Sequence, residues 1–232
     1  MRVAADFARM GWRVGVAARR GELLKTLKDQ FPDRVEYSEI DVTAPDAVER
    51  FNDLIETLDG MDVMLYAAGC GWYNPALDPA DDERTVQVNV LGFTKIVNAA
   101  YRYYKQTANV SRGRIAVLTS VAGVKGLGIS AAYSASKRYQ WTYLQALDQL
   151  AHQQHVNVGI TDIRPGFVRT DLLKNGPTDL PMVMSLDYVA PRVERAILRG
   201  YRVATIDSRW AVVTGLWRMI PACLWRRLAI DF

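Results

Sequence analysis

The chain has 232 residues, half of them hydrophobic, and a formal net charge of +4 at pH 7. This length and composition allow one folded domain over residues 1–232 and argue against disorder. The charge excess is small and contains no run of five like charges, so we expect no nucleic-acid partner. Two isolated cysteines and two histidines predict neither a disulfide framework nor a metal site, which favours a reducing, cytoplasmic location.

Short apolar runs alternate with longer amphipathic segments along the chain. The apolar runs predict strands at about 13–18, 34–40, 61–69, 113–120, 156–166 and 201–207. Helical spacing of apolar residues predicts a helix at the start of the chain, one through Leu23 to Leu27, and others at about 44–58, 81–106, 131–153 and 185–199. Strands that alternate with helices form right-handed βαβ units. We therefore predict a Rossmann-type α/β fold, in which a doubly wound parallel sheet lies between two layers of helices.

Residues able to do chemistry come directly after several of the predicted strands. They are Arg19, Asp41, Gly69, Ser120 and Pro165. In doubly wound sheets, ligands bind outside the carboxyl ends of the strands. We therefore expect a single site at that edge of the sheet.

A tyrosine and a lysine lie one helical turn apart in the segment AAYSASK. Tyr133 and Lys137 project from the same face of a helix. An ammonium group at this spacing favours the phenolate, so we expect Lys137 to lower the pKa of Tyr133 from its usual value of about 10. Ser120, thirteen positions earlier at a strand end, offers a hydroxyl that can hold a substrate carbonyl against the phenol. A Tyr-x-x-x-Lys pair alone also arises by chance in helices.

The neighbouring motifs resemble those of the short-chain dehydrogenase/reductase family over nearly the whole chain. LTSVAG contains Ser120, YSASK contains Tyr133 and Lys137, and NVLG contains Asn89. These positions match the family's four catalytic residues. The resemblance implies hydride transfer between a nicotinamide cofactor and a carbonyl or alcohol substrate. It assigns proton transfer to Tyr133 and orientation of the substrate oxygen to Ser120. Lys137 would bind the nicotinamide ribose, and Asn89 would support a water relay to the lysine.

The same resemblance implies which residues contact the cofactor. DVT at 41–43 matches the segment beside the adenine, and RPGFVRT at 164–170 matches a Pro-Gly segment that surrounds the nicotinamide. Besides the catalytic tyrosine and lysine, the implied contacts are Asp41, Val42, Ala68, Gly69, Pro165, Gly166, Val168 and Thr170.

The predicted strand at 13–18 ends in AARR. In the family that this chain resembles, side chains at this position distinguish NAD(H) from NADP(H). An acidic side chain there would accept hydrogen bonds from a free ribose 2′-hydroxyl, whereas an arginine pairs with a 2′-phosphate. Ala18 occupies the acidic position, and Arg19 and Arg20 follow it. We predict NADP(H) in preference to NAD(H). The alternative is that the two arginines simply open a solvated helix.

Two features depart from the family pattern. The family begins with a strand and a glycine-rich turn, whereas the opening MRVAADFARMGW already has helical spacing. We expect the missing strand to lie between the strands ending at Ala18 and Gly69, and we favour a late-assigned start or a truncated record over a natural variant. YAAG at 66–69 stands where the family usually has Asn-Asn-Ala-Gly, so Ala67 lacks the asparagine's side-chain hydrogen bonds.

Two apolar segments bear on the substrate and on partners. The loop FVRTDLLKNGPTDLPMVMS contains Leu172, Leu173, Met182, Val183 and Met184. Flexible apolar side chains near the site favour a lipophilic carbonyl substrate, and loop packing is the alternative.

The Trp- and Arg-rich tail at about 208–232 is too interrupted to span a membrane. It predicts peripheral membrane contact or a cover over the substrate cleft, with core packing or a subunit interface as alternatives.

Two other functions stay open on the sequence. A non-catalytic dinucleotide-binding or scaffold protein would account for the missing phosphate loop, but it would not need all four catalytic positions. A sugar-nucleotide epimerase or dehydratase shares the Tyr-x-x-x-Lys pair, but such chains usually carry a larger C-terminal substrate domain. The family resemblance also implies a homodimer or homotetramer, with contacts through the long helices around Asn89 and Tyr133.

Overall fold

Two parallel sheets form the centre of the protein in a computed structural model that describes residues 1–107, 113–170 and 180–228. Their strands are β1 (Val14–Ala18), β2 (Val35–Glu39), β3 (Val63–Tyr66), β4 (Gly113–Leu118), β5 (Val158–Pro165) and β6 (Val203–Ile206). β1 pairs with β2, and the second sheet has the order β3–β4–β5–β6. The predicted strands are all present, each shorter at its ends than the apolar run that predicted it.

Helices connect successive strands, as the alternating pattern predicted. They are α1 (Arg2–Arg9), α2 (Gly21–Gln30), α3 (Ala47–Thr57), α4 (Pro79–Val86), α5 (Phe93–Gln106), α6 (Ala131–Gln153), α7 (Leu186–Arg199), α8 (Ser208–Met219) and α9 (Ala222–Trp225). The single helix predicted over 81–106 is divided, because a π-helical turn at Gln87–Gly92 separates α4 from α5. The C-terminal tail forms two helices, because Pro221 has no amide hydrogen to continue α8.

Both faces of the larger sheet are covered by helices. Along β4, Ile115 and Val117 face a core formed with α3, α5 and α6, whereas Ala116 faces a second core formed with α1, α7 and α8. This alternation follows from the two-residue period of a strand. A strand that is buried on both faces consists of a continuous run of apolar residues. For this reason the apolar pattern predicted β4 at nearly its observed position. The result is the predicted Rossmann-like α/β architecture.

The two sheets do not join. β1 and β3 face the same cavity, which has a volume of about 1850 Å³. Among the described residues, none forms a strand between β1 and β3. The additional strand expected at this place therefore stays a prediction.

Candidate active site

The large cavity extends along β1 and β3 to the carboxyl ends of the strands, and its walls contain nearly all of the predicted site residues. Its walls include the predicted catalytic residues Ser120, Tyr133 and Lys137. The predicted cofactor contacts in its walls are Arg19, Arg20, Asp41, Val42, Ala68, Gly69, Pro165, Gly166, Val168 and Thr170. Asn89 is fully buried immediately behind this wall. Residues that are far apart in sequence thus meet because parallel strands end at one edge of a sheet.

Ser120 is positioned by the end of β4. Its extended backbone caps a short 3₁₀ turn at Val121–Val124, and its Oγ accepts a hydrogen bond of 3.1 Å from the amide of Ala122. The Ser120 side chain also hydrogen-bonds Tyr133. A serine at a strand end is well suited to this cap, because its short side chain reaches back to the following amides.

Tyr133 and Lys137 lie one turn apart near the start of α6, as their spacing predicted. The Lys137 Nζ lies 5.7 Å from the centre of the Tyr133 ring. Burial raises the pKa of Tyr133, and the hydrogen bond with Ser120 offsets part of that increase. The direction is opposite to the lowering expected from Lys137, because burial is the largest cause of the shift.

A close approach of the backbone holds the Tyr133 ring in place. A Cβ atom added to Gly71 would lie 2.3 Å from the Tyr133 Cδ2 atom. Any larger residue at position 71 would therefore displace the ring. Glycine is required here for space rather than for an unusual backbone angle.

Lys137 is buried and surrounded by acceptors. Its Nζ donates to the Gln140 Oε1 at 3.2 Å and to the Leu118 carbonyl at 3.4 Å. Burial lowers the pKa of Lys137 to about 8, while Cys70 and Asp162 oppose that change. An amine with such a pKa changes its charge close to physiological pH, a property that is frequent in functional sites.

Asn89 lies in the π-helical turn and holds the segment after β3. Its Oδ1 accepts from the Cys70 amide at 2.9 Å, and its Nδ2 donates to the Cys70 carbonyl at 2.7 Å. The Nδ2 also donates to the Ser136 Oγ at 3.0 Å. π-Helical turns occur frequently at functional sites because they redirect backbone groups. Here the turn frees the Asn89 carbonyl to face α6.

Gln140 is a site residue that the sequence analysis missed. It is fully buried, and its Nε2 donates to the Asn89 carbonyl at 2.9 Å while its Oε1 accepts from Lys137. A glutamine side chain thus connects Asn89 to Lys137, where the family resemblance implied a water relay. Its position three residues after Lys137, on the same face of α6, was the available sequence signal.

A second missed group is the polar network behind the site. Asp162 accepts from the Thr119 Oγ1 at 2.5 Å and pairs with Arg164, and both members of this ion pair are buried. The Trp141 indole donates to the Thr119 Oγ1 at 3.1 Å, and the Arg164 guanidinium lies 3.6 Å from the centre of the Trp141 ring. These four side chains connect β4, β5 and α6 next to Ser120 and Lys137.

The far end of the cavity carries the predicted nucleotide contacts. Arg19 and Arg20 follow β1 and are exposed. The Asp41 carboxylate accepts from the Thr43 amide at 2.9 Å and from the Thr43 hydroxyl at 2.7 Å, which lowers the pKa of Asp41. Arg19 and Arg84 lie close enough to lower it further. A mixed charge set of this kind can receive the polar groups of a ribose.

The residues predicted to contact the nicotinamide lie at the opposite end of the cavity. Gly69 is exposed in the cavity, and a Cβ there would lie 3.4 Å from both the Asn89 Oδ1 and the Lys137 Nζ. Val168 forms a parallel bridge with Met184, which fixes the Pro-Gly segment against the polypeptide that precedes α7. Met184 is buried in the core, so this part of the apolar loop serves packing. Leu172 and Leu173 lie outside the described residues.

The residues at both ends fit a nicotinamide dinucleotide, and the region between them contains the start of α1. The first turn of α1 lines the cavity and has no side-chain cap. Free amides at a helix N-terminus can receive a phosphate group. No glycine-rich turn adjoins this helix within the described residues. Nor do those residues contain a group of three or more His, Cys, Asp or Glu that could hold a metal ion.

Comparisons with known proteins identify the family to which the chain is similar. The profile of the short chain dehydrogenase family matches residues 1–180. An uncharacterized oxidoreductase of Myxococcus xanthus is 31% identical over 225 residues, which cover 94% of this chain and 87% of that protein. Human estradiol 17-beta-dehydrogenase 11 is 30% identical over 155 residues, which cover 65% of this chain and 51% of that protein. The chain therefore matches only about half the length of the human relative.

Solved structures show the same fold at low sequence identity. A 3-ketoacyl-(acyl-carrier-protein) reductase from Brucella melitensis complexed with NADH superposes with a TM-score of 0.77 and 19% identity, over 88% of this chain and 90% of that chain. ElxO with NADP bound also gives a TM-score of 0.77 at 19% identity, over 91% and 93% of the two chains. The neighbours include both nicotinamide cofactors, so they do not distinguish between them.

Proposed function

This chain belongs to the short-chain dehydrogenase family, and from that premise we propose that it is an oxidoreductase that prefers NADP(H) to NAD(H) and uses Tyr133 as its acid–base group. The substrate is a carbonyl compound or the corresponding alcohol. The observation that carries the proposal is the convergence of Ser120, Tyr133 and Lys137 on one cavity wall. Fold similarity alone would not support a reaction, because one fold serves many functions.

The side chains divide the work of carbonyl reduction between them. Ser120 donates a hydrogen bond to the substrate oxygen and holds it next to the Tyr133 phenol. Tyr133 transfers its proton to that oxygen, and Lys137 stabilises the phenolate that results. The raised pKa of Tyr133 keeps the phenol protonated at neutral pH, which supports a role as an acid in the reductive direction. A bound nicotinamide would supply the hydride that the substrate carbon receives.

NADP(H) is preferred in this proposal because of the charges that follow β1. Ala18 has no carboxylate to accept hydrogen bonds from a ribose 2′-hydroxyl. Arg19 and Arg20 are exposed and line the cavity, so their guanidinium groups can pair with a 2′-phosphate. Arg84 adds a further positive charge near Asp41.

The apolar part of the cavity wall supports a lipophilic substrate. The lining that contains Tyr133 also includes Val121, Leu127, Ile129, Leu180 and Trp217. Apolar walls around a few convergent polar groups are typical of small-molecule sites. We propose a carbonyl compound with an apolar body, oriented by Ser120 and Tyr133 at its polar end.

A fluorescence titration with NADPH and NADH tests this function on the chain as it is. We expect saturable binding that favours NADPH, with Arg19→Ala reducing that preference about tenfold through loss of one charge-assisted contact. Glu22→Gln, a neutralising change on exposed α2, serves as a matched control for an altered surface charge. A screen of carbonyl compounds would then follow NADPH oxidation.

The outcomes separate the alternatives. A folded chain that binds neither cofactor would favour either the non-catalytic protein or the truncated record that the sequence analysis preferred, and the same titration on a chain with the upstream codons restored would separate these two. Binding without turnover, equally by Tyr133→Phe and by the unaltered chain, would favour a scaffold or sensor. An unchanged cofactor preference in Arg19→Ala would contradict the NADP(H) assignment.

We also propose that the protein forms a homodimer or homotetramer through α5 and α6. Among the described helices α6 is the longest, with 23 residues, and its Leu150 exposes an apolar side chain. Light scattering after size exclusion would give the mass. A monomer at all concentrations would contradict the assembly.

A further inference from the structure

The last described part of the chain presents an apolar surface that nothing covers within the described residues. We call residues 208–228, which contain α8 and α9, the C-terminal arm. Val212, Leu216 and Met219 follow one another at helical spacing and are 64%, 59% and 78% exposed. Leu224 and Leu228 extend the exposed apolar set beyond Pro221. A contiguous set of this kind is typical of an interaction surface, unlike single exposed apolar residues.

The charges on the arm have one sign. Arg218, Arg226 and Arg227 are exposed, and positions 208–228 contain no aspartate or glutamate. Asp207, just before the arm, caps α8 and pairs with Arg209, so it does not neutralise the other arginines through that contact. Within residues 208–228, the arm therefore combines exposed aliphatic side chains with arginines that have no acidic neighbour on the arm itself.

The arm is fixed to the body of the protein by its inner face. Trp210 and Thr214 are buried, and the Trp225 indole donates to the Gly126 carbonyl at 2.8 Å. Lys125 donates to the Ile220 carbonyl at 2.9 Å. Because these contacts hold the inner face, the apolar side chains on the outer face cannot turn inward without breaking them.

We propose that the outer face of the C-terminal arm binds the surface of a bilayer that contains anionic lipids. Aliphatic side chains would enter the boundary between headgroups and acyl chains, and the arginines would contact the lipid phosphates. No helix among the described residues is long and apolar enough to cross a membrane, so the contact is at the surface.

Charge favours a lipid surface over a second copy of the chain. In a two-fold dimer through this face, each patch would meet the identical patch of its partner. The arginines of the two copies would then share an interface without a carboxylate from either arm. An anionic lipid surface supplies the missing negative charge and also accepts the aliphatic side chains.

The arm also connects the proposed membrane contact to the cavity. Trp210 and Trp217 on its inner side line the same cavity as Tyr133. The bilayer and the cavity would thus lie on opposite sides of one pair of helices. Lipid binding does not depend on the proposed catalysis, so a vesicle assay can succeed or fail independently of it.

Co-sedimentation of the full chain with lipid vesicles tests the proposal. We expect the protein to sediment with vesicles of phosphatidylcholine and phosphatidylserine, and weakly with phosphatidylcholine alone. Leu216→Ser with Met219→Ser should reduce the bound fraction at least tenfold. Arg226→Gln with Arg227→Gln should weaken binding to the mixed vesicles about twentyfold, because each basic residue near an anionic surface contributes several-fold.

A matched control removes two exposed leucines elsewhere. Leu23→Ser with Leu198→Ser changes apolar exposure on α2 and α7 and should leave vesicle binding unchanged. Circular dichroism of every variant should match that of the unaltered chain, since the substituted side chains are exposed. NADPH titration of the same variants reports the cofactor site separately.

Three results would overturn the proposal. One is no binding to either kind of vesicle by the folded, unaltered chain. Another is an equal loss of binding in the control variant and in the arm variants. The third is a dimer that Leu216→Ser with Met219→Ser converts to a monomer, together with no vesicle binding, which would assign the face to a second copy.

Discussion

The two sheets approach the same cavity with very different support. β4 pairs with strands on both sides and is buried along most of its length, so its end carries Ser120 on a rigid base. β1 pairs only with β2 among the described residues, and its last two residues, next to Arg19 and Arg20, are exposed. The proposed chemistry thus rests on a self-contained sheet, while the proposed nucleotide contacts rest on a strand edge. Catalytic geometry and cofactor affinity should therefore respond to separate changes.

Tyr133→Phe should separate catalytic turnover from cofactor affinity more than any other change. Loss of the proton donor should reduce turnover about 10³-fold, the usual range for a general acid. NADPH affinity should stay nearly constant, because the cofactor contacts proposed on β1 are unchanged. Single-turnover kinetics and a fluorescence titration on the same sample would test both parts. A parallel fall in affinity would mean that the two halves are coupled through this ring.

Breaking the buried ion pair of the larger sheet should lower stability strongly. Asp162→Asn leaves the buried Arg164 guanidinium without its carboxylate, which costs about 3 kcal/mol of the free energy of unfolding. Urea denaturation, monitored by circular dichroism, measures this change in the free energy of unfolding. Asp46→Asn, which removes the exposed partner of Arg50 at the start of α3, is the matched control and should change little. Equal losses in the two variants would contradict the contrast between the sheets.

Hydrogen exchange compares the two sheets without mutation. The Thr119 amide donates to the Ile163 carbonyl at 2.8 Å, and the Ile40 amide donates to the Ala18 carbonyl at 3.1 Å. Both amides follow the end of a strand and belong to buried residues. Because β1 pairs only with β2 among the described residues, we expect the Ile40 amide to exchange about 30-fold faster. Equal protection of the two amides would show that both sheets open together.

Lys137 should produce the smallest effect, and it depends on pH. Its pKa is about 8 in the folded protein and 10.5 as the ordinary value, so the unfolded chain holds more protons between these limits. Stability relative to Lys137→Met should therefore be constant below about pH 7 and rise with pH from about 8, by ~1 kcal/mol between about pH 7.5 and 9. Denaturation curves of the unaltered chain and of Lys137→Met at each pH give the difference in their free energies of unfolding. A difference that falls or stays flat over that range would mean that the amine stays charged in the fold.

Much of the larger sheet and of the catalytic set was predictable because its signals are local. Short runs rich in apolar residues located β4 and β5, and a spacing of four residues placed Tyr133 and Lys137 on one helix face. The roles of Gln140 and Asp162 were not predictable in this way. Each depends on hydrogen bonds between elements that lie more than forty positions apart, and no periodicity records such a pairing.

The sequence by itself determined the order of the strands and helices, the residues that follow each strand, and the membership of a family of dehydrogenases. Those properties depend on side-chain periodicity and on short motifs. Only the tertiary structure decided that the sheets stand apart at β1 and β3, and that a glutamine bridges Asn89 to Lys137. It also decided the direction of the Tyr133 pKa, because burial and hydrogen-bond partners are summed over the whole environment of a group. Here burial is the largest contribution to that sum.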